Sequence, residues 1–337
     1  MSGSVNGKDS KKNIILRCAA IVLALIFLIS AVLLFVHIWE ERHSEYNGDY
    51  VVETSGDSLM YNNQEYVLND DIETVLVMGL DKFDGEQSSD SYNNDKQADF
   101  IMLLVIDNAN SSYTALHINR DTMAQMDILG VAGNKVGTVT KQIALAYNYG
   151  NGKEVSCRNT AEAVSNLLLG TKVDHYISVT MDSVPVFNDL VGGVEVTVLD
   201  DFTGIDDTLI KGEQVTLFGE HSLNYVRSRY GLEDSSNENR MKRQRQYLEA
   251  LFQKTSECVQ NDSEFIAQAA VKMSEYMVSD CSGNRLQALF KKISEYQFGE
   301  ICTIQGESVV GDKFMEFYPD EDSIYETVIN LFYEIKE

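Results

Sequence analysis

The chain is short of positive charge. Its 337 residues hold 27 Lys and Arg against 52 Asp and Glu, a formal net charge of −25. A surface this acidic repels DNA and RNA phosphates and excludes a broad nucleic-acid face. Signatures of metal and nucleophile chemistry are equally sparse. The five histidines show no metal-ligand spacing, the cysteines match no zinc module, and neither a Ser-His-Asp pattern nor a glycine-rich phosphate loop occurs. Zinc or serine-triad hydrolysis is therefore disfavoured. His117 and His175 fall on expected strands and read as structural side chains. Internal repeats and low-complexity tracts are absent too, and 44% hydrophobic residues provide for a real core.

One long apolar run is present. Cys18 to Ile38 is 21 residues without a charge, long enough as a helix to cross a hydrocarbon core of about 30 Å. Lys8, Lys11, Lys12 and Arg17 precede it, whereas Trp39, Glu40 and Glu41 follow. The positive-inside rule then expects a cytoplasmic N-terminus, a single membrane pass and an extracellular C-terminal part. The run is long for a signal-peptide core and lacks a nearby small-x-small cleavage site, which favours an uncleaved anchor. The expected organisation is a cytoplasmic tail over 1–13, a transmembrane signal anchor over 14–39, a connector over 40–71 and one domain over 72–337. Cys157, Cys258, Cys281 and Cys302 lie in the exported part, either as two disulfides in any of three connectivities or as free buried thiols.

From Glu73 onward turn signals recur every ten to fifteen residues, the punctuation of an alternating α/β unit. Apolar runs Thr74–Leu80, Phe100–Ile106 and Tyr113–Asn119 read as neighbouring antiparallel strands, the last two joined by the turn Asp107-Asn108-Ala109-Asn110. Asp81, Asp99, Arg120 and Asp121 then converge on one sheet edge, with the polar stretch between Asp81 and Asp99 reaching over it. Thr160 is expected to cap a helix that stops at Gly170, and Asp182 a shorter one. Beyond Leu251 the pattern is mostly helical.

Five of the ten arginines fall between positions 227 and 245, a density that asks for an anionic counterpart. Arg227 and Arg229 share a face only in extended backbone, so the helix through Leu223 and Val226 is expected to end before them. From Arg240 onward Met241, Tyr247, Leu248, Leu251 and Phe252 form a helical stripe. Arg240 and Gln244 lie inside or at the edge of that stripe and so need partners or a polar cavity. Arg243 and Arg245 are expected in solvent. Each arginine alone reads as a salt bridge, but the set reads as a phosphate or pyrophosphate site. Asp81 and Asp99 serve either as turn and strand-capping residues or as ligands to Mg²⁺ shared with phosphate oxygens.

Seven ordered segments resemble the LytR-CpsA-Psr family: Val77-Met78-Gly79-Leu80-Asp81, Ala98-Asp99-Phe100-Ile101-Met102, Ile118-Asn119-Arg120-Asp121-Thr122, Ala146-Tyr147-Asn148-Tyr149-Gly150, Leu190-Val191-Gly192-Gly193-Val194-Glu195-Val196, the stretch from Gly219 through Tyr225-Val226-Arg227-Ser228-Arg229, and Arg240-Met241-Lys242-Arg243-Gln244. They cover about residues 72–255. The resemblance implies a three-layer α/β/α domain with a mixed central sheet, preceded by a single N-terminal transmembrane helix and holding an apolar tunnel for a polyprenyl chain. It implies a bacterial phosphotransferase that moves an undecaprenyl-pyrophosphate-linked glycopolymer (teichoic acid, capsule or other wall polysaccharide) onto peptidoglycan through a phosphodiester. Carried over, Asp81 and Asp99 match the Mg²⁺-associated carboxylates, Arg120, Arg227, Arg229 and Arg240 the pyrophosphate-binding arginines, and Gln244 the glutamine beside them. Arg120, Arg227, Arg229 and Asp99 are the expected catalytic set. Three positions depart from the family pattern: Gln97 and Lys82-Phe83 replace frequent arginines, and Gln142 replaces a lysine. The departures at Gln97 and Gln142 motivate one alternative, a polyprenyl-phosphate receptor or regulator without turnover; a third reading is a pyrophosphatase acting on the lipid-linked glycan and releasing the phosphorylated sugar to water.

Overall fold

The structure, a computed structural model, describes residues 58–81, 97–130 and 133–336. The apolar run Cys18–Ile38 and Lys82-Phe83 lie outside the described residues, among which no helix is long and apolar enough to cross a membrane. Two compact units are distinguished. The described residues of the first are 58–66 with 335–336, and those of the second lie within 67–334. Strand β1 (Ser58–Tyr61) turns into β2 (Gln64–Leu68) through Asn62 and Asn63, both at positive φ. Two consecutive left-handed residues are the geometry of a two-residue hairpin loop, and asparagine tolerates it.

The second unit is built on a six-stranded mixed sheet. The three apolar runs become β3 (Ile72–Leu80), β4 (Ala98–Asp107) and β5 (Ser112–Ile118), adjacent and antiparallel, with Leu103 of β4 between Leu76 and Leu116. The turn between β4 and β5 closes as the sequence suggests: the Asn110 backbone N–H and side-chain amide donate to the two oxygens of Asp107 at 2.9 and 2.7 Å. A hairpin of β6 (Met123–Leu129) and β7 (Lys135–Gln142) leads to α1 (Glu154–Leu167). The chain then returns as β8 (His175–Thr180), parallel to β3.

Next come α2 (Ser183–Leu190), the paired strands β9 (Val194–Thr197) and β10 (Gln214–Leu217), α3 (Glu220–Arg227), α4 (Asn237–Asn261) and α5 (Phe265–Met273). Strands β11 (Met277–Ser279) and β12 (Gln297–Cys302) flank α6 (Gly283–Glu295) and close the sheet in the order β11-β8-β3-β4-β5-β12. A hairpin of β13 (Gly306–Val310) and β14 (Met315–Pro319) precedes α7 (Glu321–Phe332).

Helices cover both sheet faces, which is why β3 and β4 are apolar at nearly every position. Leu76, Met78, Leu80, Leu116 and Ile118 pack with α1 and α7. Val75, Met102, Leu104, Tyr113 and Ala115 face the other way, toward α4 and α6. A separate core joins β9, β10, α3 and α4 around Phe202, Tyr225 and Tyr247.

Three local expectations are corrected. Thr160 does not cap a helix: α1 begins six residues earlier, and the buried Thr160 hydroxyl donates to Ser156 O at 2.9 Å, back-bonding inside the helix. The chain after Leu251 contributes five short strands, β11 to β14 and Tyr333–Ile335, as well as helices, because short strands pairing with distant partners leave little periodicity. Arg227 is the last residue of α3, and the backbone becomes extended only at Ser228. Cys157, Cys258, Cys281 and Cys302 are all free thiols.

Candidate functional site

The register brings three strand ends to one edge. Leu80 pairs with Ala98 across β3 and β4, and Ile101 with Ile118 across β4 and β5. Asp81, Asp99 and Arg120 therefore meet where the apolar runs place them. The Arg120 guanidinium is held on three sides: Nη1 ion-pairs with Asp99, Nε lies 3.3 Å from Asp121 Oδ1, and Nη2 donates to Gln97 Oε1 at 3.1 Å. Gln97 and Asp121 are buried, so this arginine is fixed before any ligand arrives.

The remaining arginines arrive from α3 and α4. Arg227 reaches Asp81, with Nη2 3.1 Å from Oδ1, and its side chain is half-exposed. Arg229 follows Ser228 beyond the end of α3, its Nη2 donating to the Tyr230 hydroxyl at 2.9 Å and its guanidinium 4.9 Å above that ring. Ser236 caps α4, accepting from Asn239 N–H at 3.1 Å, and Arg240 sits in the first turns beyond that cap. The positive end of the helix thus adds to the charge of the cluster. A relay positions Arg240: its Nη2 donates to Asn237 Oδ1 at 2.6 Å, and Asn237 Nδ2 donates to Asn119 Oδ1 at 2.7 Å.

The cluster is electrostatically unbalanced. Arg240 is only 8% exposed, and burial together with the nearby Arg120 and Arg229 guanidinium groups pushes its pKa down to about 10. It remains charged at neutral pH. Its Nε, and that of Arg229, are buried without a hydrogen-bond partner among the described residues. A buried unsatisfied donor costs about 1–3 kcal/mol, so two of them among like charges suit an anionic ligand.

Directly beside the cluster lies an apolar cavity. It runs between the sheet face of Val75, Val77 and Gly79 and the helices carrying Leu248, Leu251 and Leu289. Thr180, Ser183, Gln244 and the Tyr247 hydroxyl are its few polar groups, and the last donates to Asn188 Oδ1 at 3.2 Å. Gln244 stands one turn after Arg240, lines the cavity and donates to Val226 O at 3.2 Å, joining the charged and apolar parts. Phe100 lines the cavity next to Asp99, and Gly79 lies two residues before Asp81. A Cβ on Gly79 would stand 2.9 Å from Phe100 Cβ, so glycine keeps this passage open. Behind Phe100, the His117 ring packs at a tilt of 46° with ring centroids 4.9 Å apart. Burial, then Arg245 and Arg240, push its pKa down to about 3, leaving it neutral.

One expectation fails in an informative way. Arg243 is not in solvent but fully buried: it ion-pairs with Asp200, donates from Nε to Tyr225 O at 2.9 Å and from Nη2 to Ser228 O, and lies over the Phe202 ring. Those carbonyls flank Arg227, so Arg243 clamps the backbone that presents Arg227 and Arg229. The signal was available, since Arg243 stands one turn before the inward Tyr247. Arg245 is half-buried, and burial lowers its pKa. Nothing local in the sequence signalled Gln97, Asn119 and Asn237 as partners of the arginines.

This geometry belongs to a recognisable group of proteins. A model of the LytR_cpsA_psr family matches residues 37–331. The chain belongs to the LytR_cpsA_psr family. It is 28% identical over 187 residues to the polyisoprenyl-teichoic acid–peptidoglycan teichoic acid transferase TagU of Bacillus licheniformis, covering 55% of this chain and 53% of TagU. It is 31% identical over 170 residues to the cell wall biosynthesis protein LcpA of Corynebacterium glutamicum, covering 45% of this chain and 32% of LcpA. The chain thus spans about half the length of TagU and a third of LcpA. The crystal structure of TagV from B. subtilis superposes with a TM-score of 0.58 at 25% identity, covering 78% of this chain and 97% of TagV.

Within the LytR_cpsA_psr fold, Asp81 and Asp99 offer hard oxygen donors beside the anion site, each already facing an arginine. That donor set suits Mg²⁺, which binds through one or two carboxylates and completes its shell with water and phosphate oxygens. The departures at Gln97 and Gln142 are not simple losses of charge. Gln97 accepts from Arg120, and Gln142 Nε2 donates to Met315 O at 2.7 Å and approaches Asp121 at 3.4 Å, so both brace Arg120.

Proposed function

We propose that this protein is a membrane-anchored phosphotransferase that joins an undecaprenyl-pyrophosphate-linked glycopolymer to peptidoglycan, with its C-terminal domain outside the cell membrane. The observation that carries this reading is an arginine cluster with two buried, unpartnered Nε groups standing beside an apolar cavity, the two joined by Gln244, which suits one amphiphile with a pyrophosphate head and a polyprenyl tail. Kinship with transferases of teichoic acid to peptidoglycan supports the same reading.

Arg120, Arg227, Arg229 and Arg240 bind the two phosphates, with Gln244 at an oxygen near the cavity. An acceptor hydroxyl on peptidoglycan attacks the phosphorus that carries the glycan. Its new P–O bond forms as the bond to the polyprenyl phosphate breaks, the hydroxyl proton is lost to solvent, and the lipid monophosphate leaves. Negative charge grows on the leaving phosphate, and preorganised guanidinium groups stabilise it without reorganising. Asp81 and Asp99 would hold Mg²⁺, which supplies further neutralisation of the phosphate oxygens. The polar braces on Arg120 favour turnover over passive binding, because they fix the group that must match the transition state.

Full-length protein in detergent, given a labelled lipid-pyrophosphate oligosaccharide, Mg²⁺ and peptidoglycan, is expected to transfer label to peptidoglycan. Arg227→Ala and Arg229→Ala are each expected to lower the rate by about 100-fold or more. Transfer unchanged in both variants refutes the assignment. Label released to water identifies a pyrophosphatase, and lipid binding without turnover identifies a receptor.

A further inference from the structure

We infer that His175, Asp280 and Cys281 form a divalent-metal site of Zn²⁺ type at the end of the sheet remote from the arginines. His175 opens β8 beside Val75, whereas the arginine edge lies where β8 ends, with Thr180 beside Leu80. Asp280 and Cys281 follow β11, the neighbour of β8. His175 Nδ1 and Asp280 Oδ2 are 3.5 Å apart, and one ligand atom from each of His175, Asp280 and Cys281 lies within 4.8 Å of the other two. Ligands about 2.0–2.3 Å from a tetrahedral zinc stand about 3.3–3.6 Å apart, so the nitrogen–oxygen edge is already formed and the sulfur needs only a small side-chain adjustment.

The donors are preorganised. Tyr176 N–H donates to Asp280 Oδ1 at 3.1 Å, leaving Oδ2 turned to the imidazole. Ser279 Oγ accepts from Cys281 N–H at 3.0 Å and donates to Tyr176 O at 2.9 Å, fixing the turn that carries both ligands. His175 Nδ1 is buried and has no hydrogen-bond partner among the described residues, as befits a nitrogen kept for a metal. Behind the ring, Glu73 Oε1 lies 3.9 Å from Nε2. Glu73 is itself held by Arg285 and by Lys292 Nζ at 2.6 Å. A carboxylate behind a histidine is the usual outer partner of a metal-bound imidazole. Arg285 Nε is also 3.4 Å from Nε2, and the imidazole proton needed there in the metal-bound form turns that contact over to Glu73.

A cysteine–histidine nucleophile is the competing reading of these groups, but His175 Nδ1 has no hydrogen-bond partner among the described residues and Nε2 faces Arg285 and Glu73, so the imidazole is not bonded to the Cys281 thiol as a general base would be. With three protein ligands, one position stays open to water, and the metal ties β8 to the turn after β11.

Cobalt(II) added to the full-length protein in detergent tests the site, since its spectrum reports tetrahedral geometry and sulfur ligation. One equivalent is expected to give visible d–d bands with a thiolate-to-cobalt charge-transfer band, displaced by Zn²⁺. Cys281→Ser is expected to abolish the charge-transfer band, and His175→Ala to weaken binding at least tenfold, whereas Cys258→Ser leaves both unchanged. In the unmutated protein, one equivalent of Zn²⁺ is expected to shield one thiol from a disulfide reagent, a readout independent of how the variants fold. A missing charge-transfer band, its survival in Cys281→Ser, or no shielding of any thiol overturns the proposal.

Discussion

Replacing Arg240 by Gln separates a residue kept for a ligand from one kept for the fold. With its pKa pushed from the ordinary 12.5 down to about 10, Arg240 is held charged against the preference of its surroundings. At 1.36 kcal/mol per pH unit that depression amounts to about 3 kcal/mol. Because the folded chain holds this proton less tightly than the unfolded one, the penalty is present at every pH below about 10 and eases only as pH rises toward 12.5. Removing the charge recovers that energy and forfeits the charge-assisted bond to Asn237, worth about 1.5–3 kcal/mol. Arg240→Gln without ligand is therefore expected to be as stable as the unmutated protein or more stable by up to about 1.5 kcal/mol, a rise of at most about 6 °C in melting temperature for a domain of this size. Inorganic pyrophosphate at 100 times its Kd should stabilise the unmutated protein by about 2.7 kcal/mol. In the variant the loss of charge-assisted bonds worth about 1.5–3 kcal/mol weakens binding roughly 10- to 100-fold. Thermal denaturation of both proteins across a pyrophosphate titration measures each quantity. A variant that is less stable without ligand, yet responds to pyrophosphate as before, refutes the view of Arg240 as an anion-binding residue.

Arg243→Ala leaves Asp200 as an unpaired buried charge and is expected to cost about 3–5 kcal/mol in denaturant unfolding, whereas Arg243→Met combined with Asp200→Leu should recover much of it. Gly79→Val narrows the cavity against Phe100 and should weaken binding of a long polyprenyl pyrophosphate while inorganic pyrophosphate binds as before, a contrast that calorimetry resolves. Burial drives the Asp206 pKa up, but hydrogen bonds from Thr208, His221 and Asn224 outweigh it and leave the pKa at about 2. That stabilisation is complete above pH 4 and is lost as pH falls toward 2, so Asp206→Asn should flatten the acid limb of a stability–pH profile.

Patterns with short periods were legible in the chain. The apolar runs ending at Asp81, beginning after Asp99 and ending before Arg120 carried the strand register. A sheet buried on both faces admits few alternatives to aligned apolar segments, and the turn at Asp107–Asn110 is locally encoded. The stripe from Met241 to Phe252 likewise announced α4 and set Arg240 and Gln244 on its inner face. Composition made the arginine cluster conspicuous, since few cations are otherwise available.

Partnership was a different matter. Whether Asp81 meets Arg227, whether Arg243 points outward or clamps Tyr225 and Ser228, and whether Gln97 braces Arg120 depend on segments tens to more than a hundred residues apart. Local propensity carries no information about such distances. The same holds for His175 and Cys281, separated by 105 positions that match no metal-binding spacing until β8 and β11 pair. Residue chemistry pointed to an anionic ligand for the arginines. The folded chain chose which side chains stand within reach of it, because hydrogen bonds and ion pairs act over a few ångströms and only tertiary packing sets those separations.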